Sequence, residues 1–298
     1  MEDAVRLRRL RPVVLGADGR AGRAIADVLS SHAPHTVAAG RLELDASDYF
    51  NLRWELERLE ADLVINAAGL ADVDACETDP ARSQFLNAQV AGDVARAAHE
   101  SGAALVHLST DYVFAGDGGA PYSEGDPTLP GSVYGKSKRA GELMVLLAHP
   151  DALLVRTAWL FGGHGKRPDF VERILRDAVA GAILPVVHDQ VGNPTAVGDL
   201  ARGLVELLAG GVTGVVHLAG SGGVSRAEFA QAILDEAGRP DVEIEPVASE
   251  VVPGRAPRPA DSRLDTSLFT RLTGNPPRTW QEGLREVLVA RRQEGASS

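Results

Sequence analysis

Cysteine is nearly absent. With Cys76 alone among 298 residues, neither an intramolecular disulfide nor a thiolate zinc cluster can be built, and a reducing compartment suits the chain. No apolar run approaches the roughly 18 uninterrupted residues of a membrane span. Positive charge is also short: 30 Lys and Arg against 41 Asp and Glu give a net charge of −11, leaving no basic surface broad enough for nucleic acid as the main partner. The histidines lack metal-ligand spacing; His107, His164, His188 and His217 fall singly, and no metal site is expected. Met1 to Pro12 holds four arginines but no apolar centre or small-residue cleavage site, so a frayed terminus in a cytoplasmic protein is expected rather than a secretory leader. No internal repeat is visible. What remains is globular, 44% hydrophobic and 24% charged, at a length where folding buries about 75% of the chain's surface, enough for one large domain or two unequal ones.

Short runs of valine, isoleucine and leucine alternate with longer amphipathic stretches, the pattern of parallel strands joined by crossover helices. Strands are expected at Pro12–Gly16, His35–Ala39, Leu63–Asn66, Ala103–Ser109 and Leu153–Thr157, with another at Val215–Ala219. Helices fit Gly22–Ser31, Pro80–Glu100, Ser132–Ala148 and Val197–Leu208, with Gly102 placed to stop one and Ser132 to cap another. Pro168–Ala180, Ser225–Ala237 and Pro277–Ala290 read as helices outside this first run. Four prolines in Pro246–Pro259 predict an ordered surface loop. The fold class is α/β, a Rossmann-type doubly wound parallel sheet with a smaller C-terminal α/β substrate domain. Residues 1–159 are expected to form the dinucleotide-binding part, with a returning segment at about 190–220, and residues 160–298 the smaller, interleaved substrate-binding part.

The first strand runs directly into Gly16-Ala17-Asp18-Gly19-Arg20-Ala21-Gly22 and then a helix. Glycine there permits a tight turn and close approach to a pyrophosphate, whose charge is met by amides at the helix start. The second strand ends in Ala39-Gly40-Arg41, offering a cation for a ribose 2′-phosphate where an acidic residue would bind a 2′-hydroxyl, so NADPH is favoured over NADH. Tyr134 and Lys138 stand four apart on one face of a helix and can share a ligand. A phenol titrating near pH 10 is a poor acid–base group at neutrality, and an ammonium beside it favours phenolate, so Lys138 is expected to lower the Tyr134 pKa. Ser109-Thr110-Asp111 closes the fourth strand at the sheet edge where such folds place ligands.

Together these residues resemble an extended short-chain dehydrogenase/reductase, and more narrowly the dTDP-4-dehydrorhamnose reductase family of nucleotide-sugar 4-ketoreductases. The resemblance covers nearly the whole chain. It rests on GADGRAG at Gly16, INAAGLADVDACE at Ile65, LNA at Leu86, STDYVFAG at Ser109, PYSEGDPTLPGSVYGKSKRAGE at Pro121, RTAWLFG at Arg156, DQVGNPT at Asp189 and APRPADSRLDTS at Ala256. The later blocks discriminate, because many reductases and epimerases share the glycine turn and YxxxK.

The resemblance implies that Tyr134 protonates the oxygen formed at sugar C4 while reduced nicotinamide delivers hydride, that Thr110 hydrogen-bonds the carbonyl, and that Lys138 also holds the nicotinamide ribose. It places Asp111, Tyr112 and Trp159 on the sugar. Gly19, Arg20 and Ala21 fall at the pyrophosphate, Asp45 and Ala46 at the adenine, and Ala68, Gly69 and Leu70 at the turn after the third strand. Gln190, Asn193, Pro194, Thr195 and Arg258 fall around the nucleotide half of a dTDP-sugar, where Arg258 suits the diphosphate. Arg23-Ala24-Ile25 replaces an acidic residue that some members use in a magnesium-linked dimer contact, and the chain is expected to be a monomer or a homodimer. Leu70-Ala71 replaces an aromatic or histidine followed by threonine, which leaves the particular ketosugar open. A nucleotide-sugar epimerase and a non-catalytic NADP-binding regulatory subunit are the competing readings. Dehydration fits less well, since Asp111 has no glutamate after it.

Overall fold

The computed structural model describes residues 7–251 and 255–297. The expected frayed start therefore lies largely outside the described residues. Strands β1 (Pro12–Leu15), β2 (Val37–Ala39), β3 (Leu63–Asn66), β4 (Ala104–Thr110), β5 (Leu153–Thr157) and β6 (Gly214–His217) form one parallel sheet in the order β2-β1-β3-β4-β5-β6. Val13 pairs with Val37 on one side and Val64 on the other, so the chain reverses its direction of travel across the sheet at β1, and the crevice at that point is where such sheets bind ligands.

Both faces of the sheet are covered, which explains why its strands read as continuous apolar runs. Val13, Leu15, Val64 and Leu105 face α2 (Tyr49–Arg58), α3 (Val90–Glu100) and α4 (Val133–Ala148). Their neighbours Val14, Ile65, Val106 and Val155 face the opposite way, against α1 (Arg20–His32) and the later helix α6 (Val197–Ala209). A separate core joins α5 (Phe170–Asp177), α7 (Arg226–Ala237) and α8 (Trp280–Ser297) through Val171, Ile174, Phe229, Ile233 and Leu284. Among the described residues no helix is long and apolar enough to cross a membrane.

Several elements differ from expectation. The helix expected over Pro80–Glu100 is instead α-helical at Pro80–Gln84, a π turn at Phe85–Gln89, and then α3. Such a turn widens the helix by one residue and re-aims a side chain. The sequence pattern does not announce helix α2, because only Leu52 and Leu56 of its apolar residues are fully buried while Phe50 and Trp54 are exposed. Pro246 is not in a loop: Glu243–Val247 pairs in parallel with Ile183–Val187, setting Pro246 opposite Val186 and Glu245 opposite Pro185. This sheet has two strands, so each proline can turn its missing N–H to an open edge. Of the rest of that expected loop, Ser249–Val251 is a short 3-10 turn and residues 252–254 lie outside the described set.

Candidate active site

The turn after β1 is shaped by contacts that leave no room for side chains. Gly16 has φ +75°, and a Cβ on it would lie 2.8 Å from the Ala68 nitrogen. A Cβ on Gly22 would lie 2.3 Å from the Gly16 carbonyl oxygen, so the first turn of α1 rests directly on the loop. Gly19 caps α1 without a side-chain hydrogen bond, which leaves the amides of the helix start open to an anion. Gly16, Gly19, Arg41, Asp45, Ala46, Ala68, Gly69 and Leu70 line one cleft of about 380 Å³. Arg41 pairs with Asp45 at 3.5 Å, and Arg82 and Lys166, neither foreseen from sequence, line the same space. Lys166 is ion-paired with Asp18.

Arg20 points elsewhere. Its guanidinium donates to the carbonyls of Gly162 at 2.7 Å, Gly163 at 2.9 Å and Arg167 at 2.8 Å, and meets Asp169 and Glu172 at 2.9 and 2.8 Å. It ties α1 to the segment leading into α5, so any part it plays at the glycine turn falls to its backbone N–H.

Ala67, Ala68, Gly69 and Leu70 also border a second space of about 270 Å³ lined by Ala21, Thr110, Asp111, Tyr112, Tyr134, Lys138 and Trp159, making the two parts of one cleft. Helix α4 begins where Ser132 accepts from the Gly135 N–H at 3.0 Å, and carries Tyr134 and Lys138 on the cleft side. Gly135 allows that placement: a Cβ there would lie 2.2 Å from the Tyr112 carbonyl oxygen. The helix is tied to the sheet by Glu142, fully buried, which accepts from Ser109 at 2.6 Å and from two Arg156 nitrogens at 2.9 Å. The residues bearing Thr110, Tyr134 and Lys138 thus share one buried ionic support.

The electrostatics depart from expectation. Burial pushes the Tyr134 phenol well above its usual range, opposed by a hydrogen bond with Thr110 and reinforced by Asp111 and Tyr112. Lys138 turns to the strand beneath. Its ammonium donates to the Leu108 carbonyl at 2.6 Å and lies 3.5 Å from His107 Nε2, and burial brings its pKa down to about 8. Helical spacing places the two side chains on one face, but the strand beneath claims the ammonium. Asp111, buried, accepts from Ser262 at 2.5 Å and Thr110 at 3.0 Å, and burial raises its pKa to about 6.

Of the other sequence candidates, Trp159 lines the cleft, with a strained left-handed backbone of φ +45° and its indole packed into the gap over Gly192. Gln190, Asn193 and Arg258 are outside the cleft lining. Gln190 donates to Ser249 at 2.9 Å; Asn193 donates to the Gly220 carbonyl at 3.1 Å and accepts from Leu264 N at 2.8 Å. Arg258 grips both Asp74 oxygens at 2.7 and 2.8 Å. Gln190 and Asn193 staple C-terminal segments together, and Arg258 ties its segment to the helix Val73–Thr78.

Two further cleft residues escape the sequence reading. Asn87, on the π turn, accepts from Leu70 N at 2.7 Å and donates to Leu70 O at 3.0 Å, holding the loop after β3. Its place in the LNA block is the available signal. Arg226, the first residue of α7, stacks over Trp159, and nothing in the sequence marks it.

A switch-point cleft with a glycine turn at one end and a Thr–Tyr–Lys cluster at the other defines a Rossmann-type protein of the extended short-chain dehydrogenase/reductase class. The family described as RmlD substrate binding domain matches residues 11–293. The chain belongs to this family, that of the dTDP-4-dehydrorhamnose reductases. It is 40% identical to the dTDP-4-dehydrorhamnose reductase of Mycobacterium tuberculosis, covering 95% of this chain and 94% of that one. It is 38% identical to the Mycolicibacterium smegmatis protein of the same name, over 94% of this chain and 85% of the other. The structure of the Bacillus anthracis dTDP-4-dehydrorhamnose reductase, in complex with NADP, superposes with TM-score 0.89 at 31% identity, covering 94% of this chain and 99% of that one.

Proposed function

We propose that this protein reduces the C4 ketone of a dTDP-4-keto-6-deoxyhexose with NADPH, most simply dTDP-4-dehydro-L-rhamnose to dTDP-L-rhamnose. The observation that carries the reading is the gathering of Thr110, Tyr134 and Lys138 at one end of a cleft whose other end is a side-chain-free glycine turn. The family relatives named as such reductases, one solved with NADP, support the same activity and cofactor.

The residues present suit the dinucleotide. The open amides of α1 and the cradle of Gly16, Gly19 and Gly22 would hold its pyrophosphate, Asp45 and Ala46 would flank the adenine, and Arg41 with Arg82 and Lys166 would meet a 2′-phosphate. A reduced nicotinamide held in this cleft would supply the hydride. Tyr134, at the hydroxyl end of the cleft, would be the acid that gives its phenol proton to the oxygen developing at C4. Thr110, whose hydroxyl donates to Asp111 and lines the cleft with Tyr134, would orient the carbonyl. Lys138 would hold ribose hydroxyls. Leu70, Ala71 and Val73 give the sugar site an apolar wall, which suits the methyl group of a 6-deoxy sugar. The division into a dinucleotide-binding part, residues 1–159 with a return near 190–220, and a substrate part, residues 160–298, belongs to this proposal. So does a cytoplasmic location, where NADPH is supplied.

The test follows absorbance at 340 nm with NADPH and dTDP-4-keto-6-deoxy-L-lyxo-hexulose, then resolves the product. Stoichiometric NADPH oxidation with dTDP-L-rhamnose formed is the expected result. An epimerase would rearrange sugar without net oxidation, and a regulatory subunit would bind NADPH and turn nothing over; either outcome defeats the proposal.

A further inference from the structure

Arg226 is the anomaly of the cleft. Three arginines near it are engaged by protein groups: Arg20 by carbonyls and two carboxylates, Arg258 by Asp74, and Arg41 by Asp45. The Arg226 guanidinium has no hydrogen bond or ion pair to any described residue. Its Cζ lies over the Trp159 ring, 3.4 Å from the centroid, and 5.0 Å from the Phe170 ring centroid. Its backbone is anchored, since Arg226 N–H donates to the Gln190 carbonyl at 3.0 Å. Asp111 is near enough for its charge to be felt, but both Asp111 oxygens are already engaged by Ser262 and Thr110.

A planar cation stacked on indole leaves its in-plane N–H groups unused, a fork suited to phosphate oxygens. Burial is the main cause that brings its pKa down to about 10; Tyr112 and Asp111 favour the cation, Arg173 on α5 and Arg258 oppose it as like charges, and none of them forms an ion pair with it. Such a guanidinium in a protein of net charge −11 is costly unless something anionic meets it. The strained backbone of Trp159 contributes too, because it holds the indole where the guanidinium needs a platform.

We infer that Arg226, braced on Trp159, is the diphosphate anchor of the substrate site, replacing Arg258 in that role. This rests on the proposed nucleotide-sugar reading. It assigns specificity to a residue at the start of α7, in the C-terminal part of the chain, so the ligand's anionic middle bridges the two parts while its sugar reaches Tyr134.

The experiment is calorimetric titration of NADP-saturated protein with dTDP and with thymidine, for the wild type, Arg226→Met and Arg226→Lys. Arg226→Met is expected to weaken dTDP roughly 10- to 100-fold, the size of a lost charge-assisted contact, and leave thymidine unchanged. Arg226→Lys keeps the charge but not the fork and should fall between. An unchanged dTDP affinity, or an equal loss for dTDP and thymidine, overturns the inference. If Arg226→Met does not fold, the dTDP-to-thymidine affinity ratio of Arg226→Lys decides: a lowered ratio supports the anchor and an unchanged one removes it. Wild-type turnover of the ketosugar is read separately, so a failed anchor and a failed reductase reading give different results.

Discussion

At the glycine-turn end of the cleft the floor is backbone and small side chains supplied by the ends of β1 and β3, Gly16, Gly19, Ala67, Ala68 and Gly69 among them. At the hydroxyl end polar side chains drawn from positions 87 to 226 converge, with Asp111 braced by Ser262. The first end works by absence: Gly16, Gly19 and Gly22 are useful because a Cβ would strike neighbouring backbone. The second works by competition, since each polar group there has more than one possible partner. Substitutions at the first end should therefore act through shape, on affinity and stability together, whereas those at the second should separate chemistry from binding.

The largest separation is expected from Tyr134→Phe. Removing the proton donor while keeping the ring should lower kcat about 10²- to 10⁴-fold with NADPH affinity within about twofold, measured by steady-state kinetics and calorimetry. Parallel losses in both would erase the contrast between the two ends.

Asp111 sharpens it through pH. Its folded pKa of about 6 exceeds the ordinary 3.8, so the stability tied to its protonated form is complete below about pH 3.8 and is lost as pH rises through 6. Wild type should lose up to about 3 kcal/mol relative to Asp111→Asn between pH 4 and pH 7, read from urea unfolding at each pH. Superimposable pH profiles would mean that Asp111 titrates as an ordinary carboxylate.

Gly22→Ala tests the other end. The added methyl would meet Gly16 oxygen at 2.3 Å, so α1 must shift, with a cost of about 1–3 kcal/mol in unfolding free energy and weaker NADPH binding in step. Asn87→Ala, at the seam, leaves Leu70 N–H and C=O without their side-chain partner; about 1–2 kcal/mol of stability should go, and a rise in KM for both ligands would mark the loop as shared. The smallest effect belongs to Arg41→Ala. Its side chain is 66% exposed and already paired with Asp45, so the NADPH-to-NADH preference should narrow by less than about 1 kcal/mol, with Lys166 and Arg82 keeping the rest. A tenfold or larger change in that ratio would make Arg41 the main phosphate contact.

The central strands, the glycine turn, α4 and the Thr110–Tyr134–Lys138 set are legible in the sequence because their signals are local. Period, capping and spacing along one strand or helix do not depend on what packs against them. The motif blocks of the C-terminal half are legible as blocks but not as roles: Asn193 and Arg258 read as ligand contacts, and in the fold they hold segments to each other. Partner choice decides such cases, and partners such as Asp74 and Arg258 are far apart in the chain. Tertiary structure alone decided that Lys138 would turn to the Leu108 carbonyl, that burial would push the Tyr134 phenol upward, that a π turn would aim Asn87 at Leu70, and that Arg226 would carry a charge unpaired among the described residues. Each of these follows from desolvation or from competition for one hydrogen bond among groups brought together by the chain's return to the sheet, and neither can be counted along a sequence.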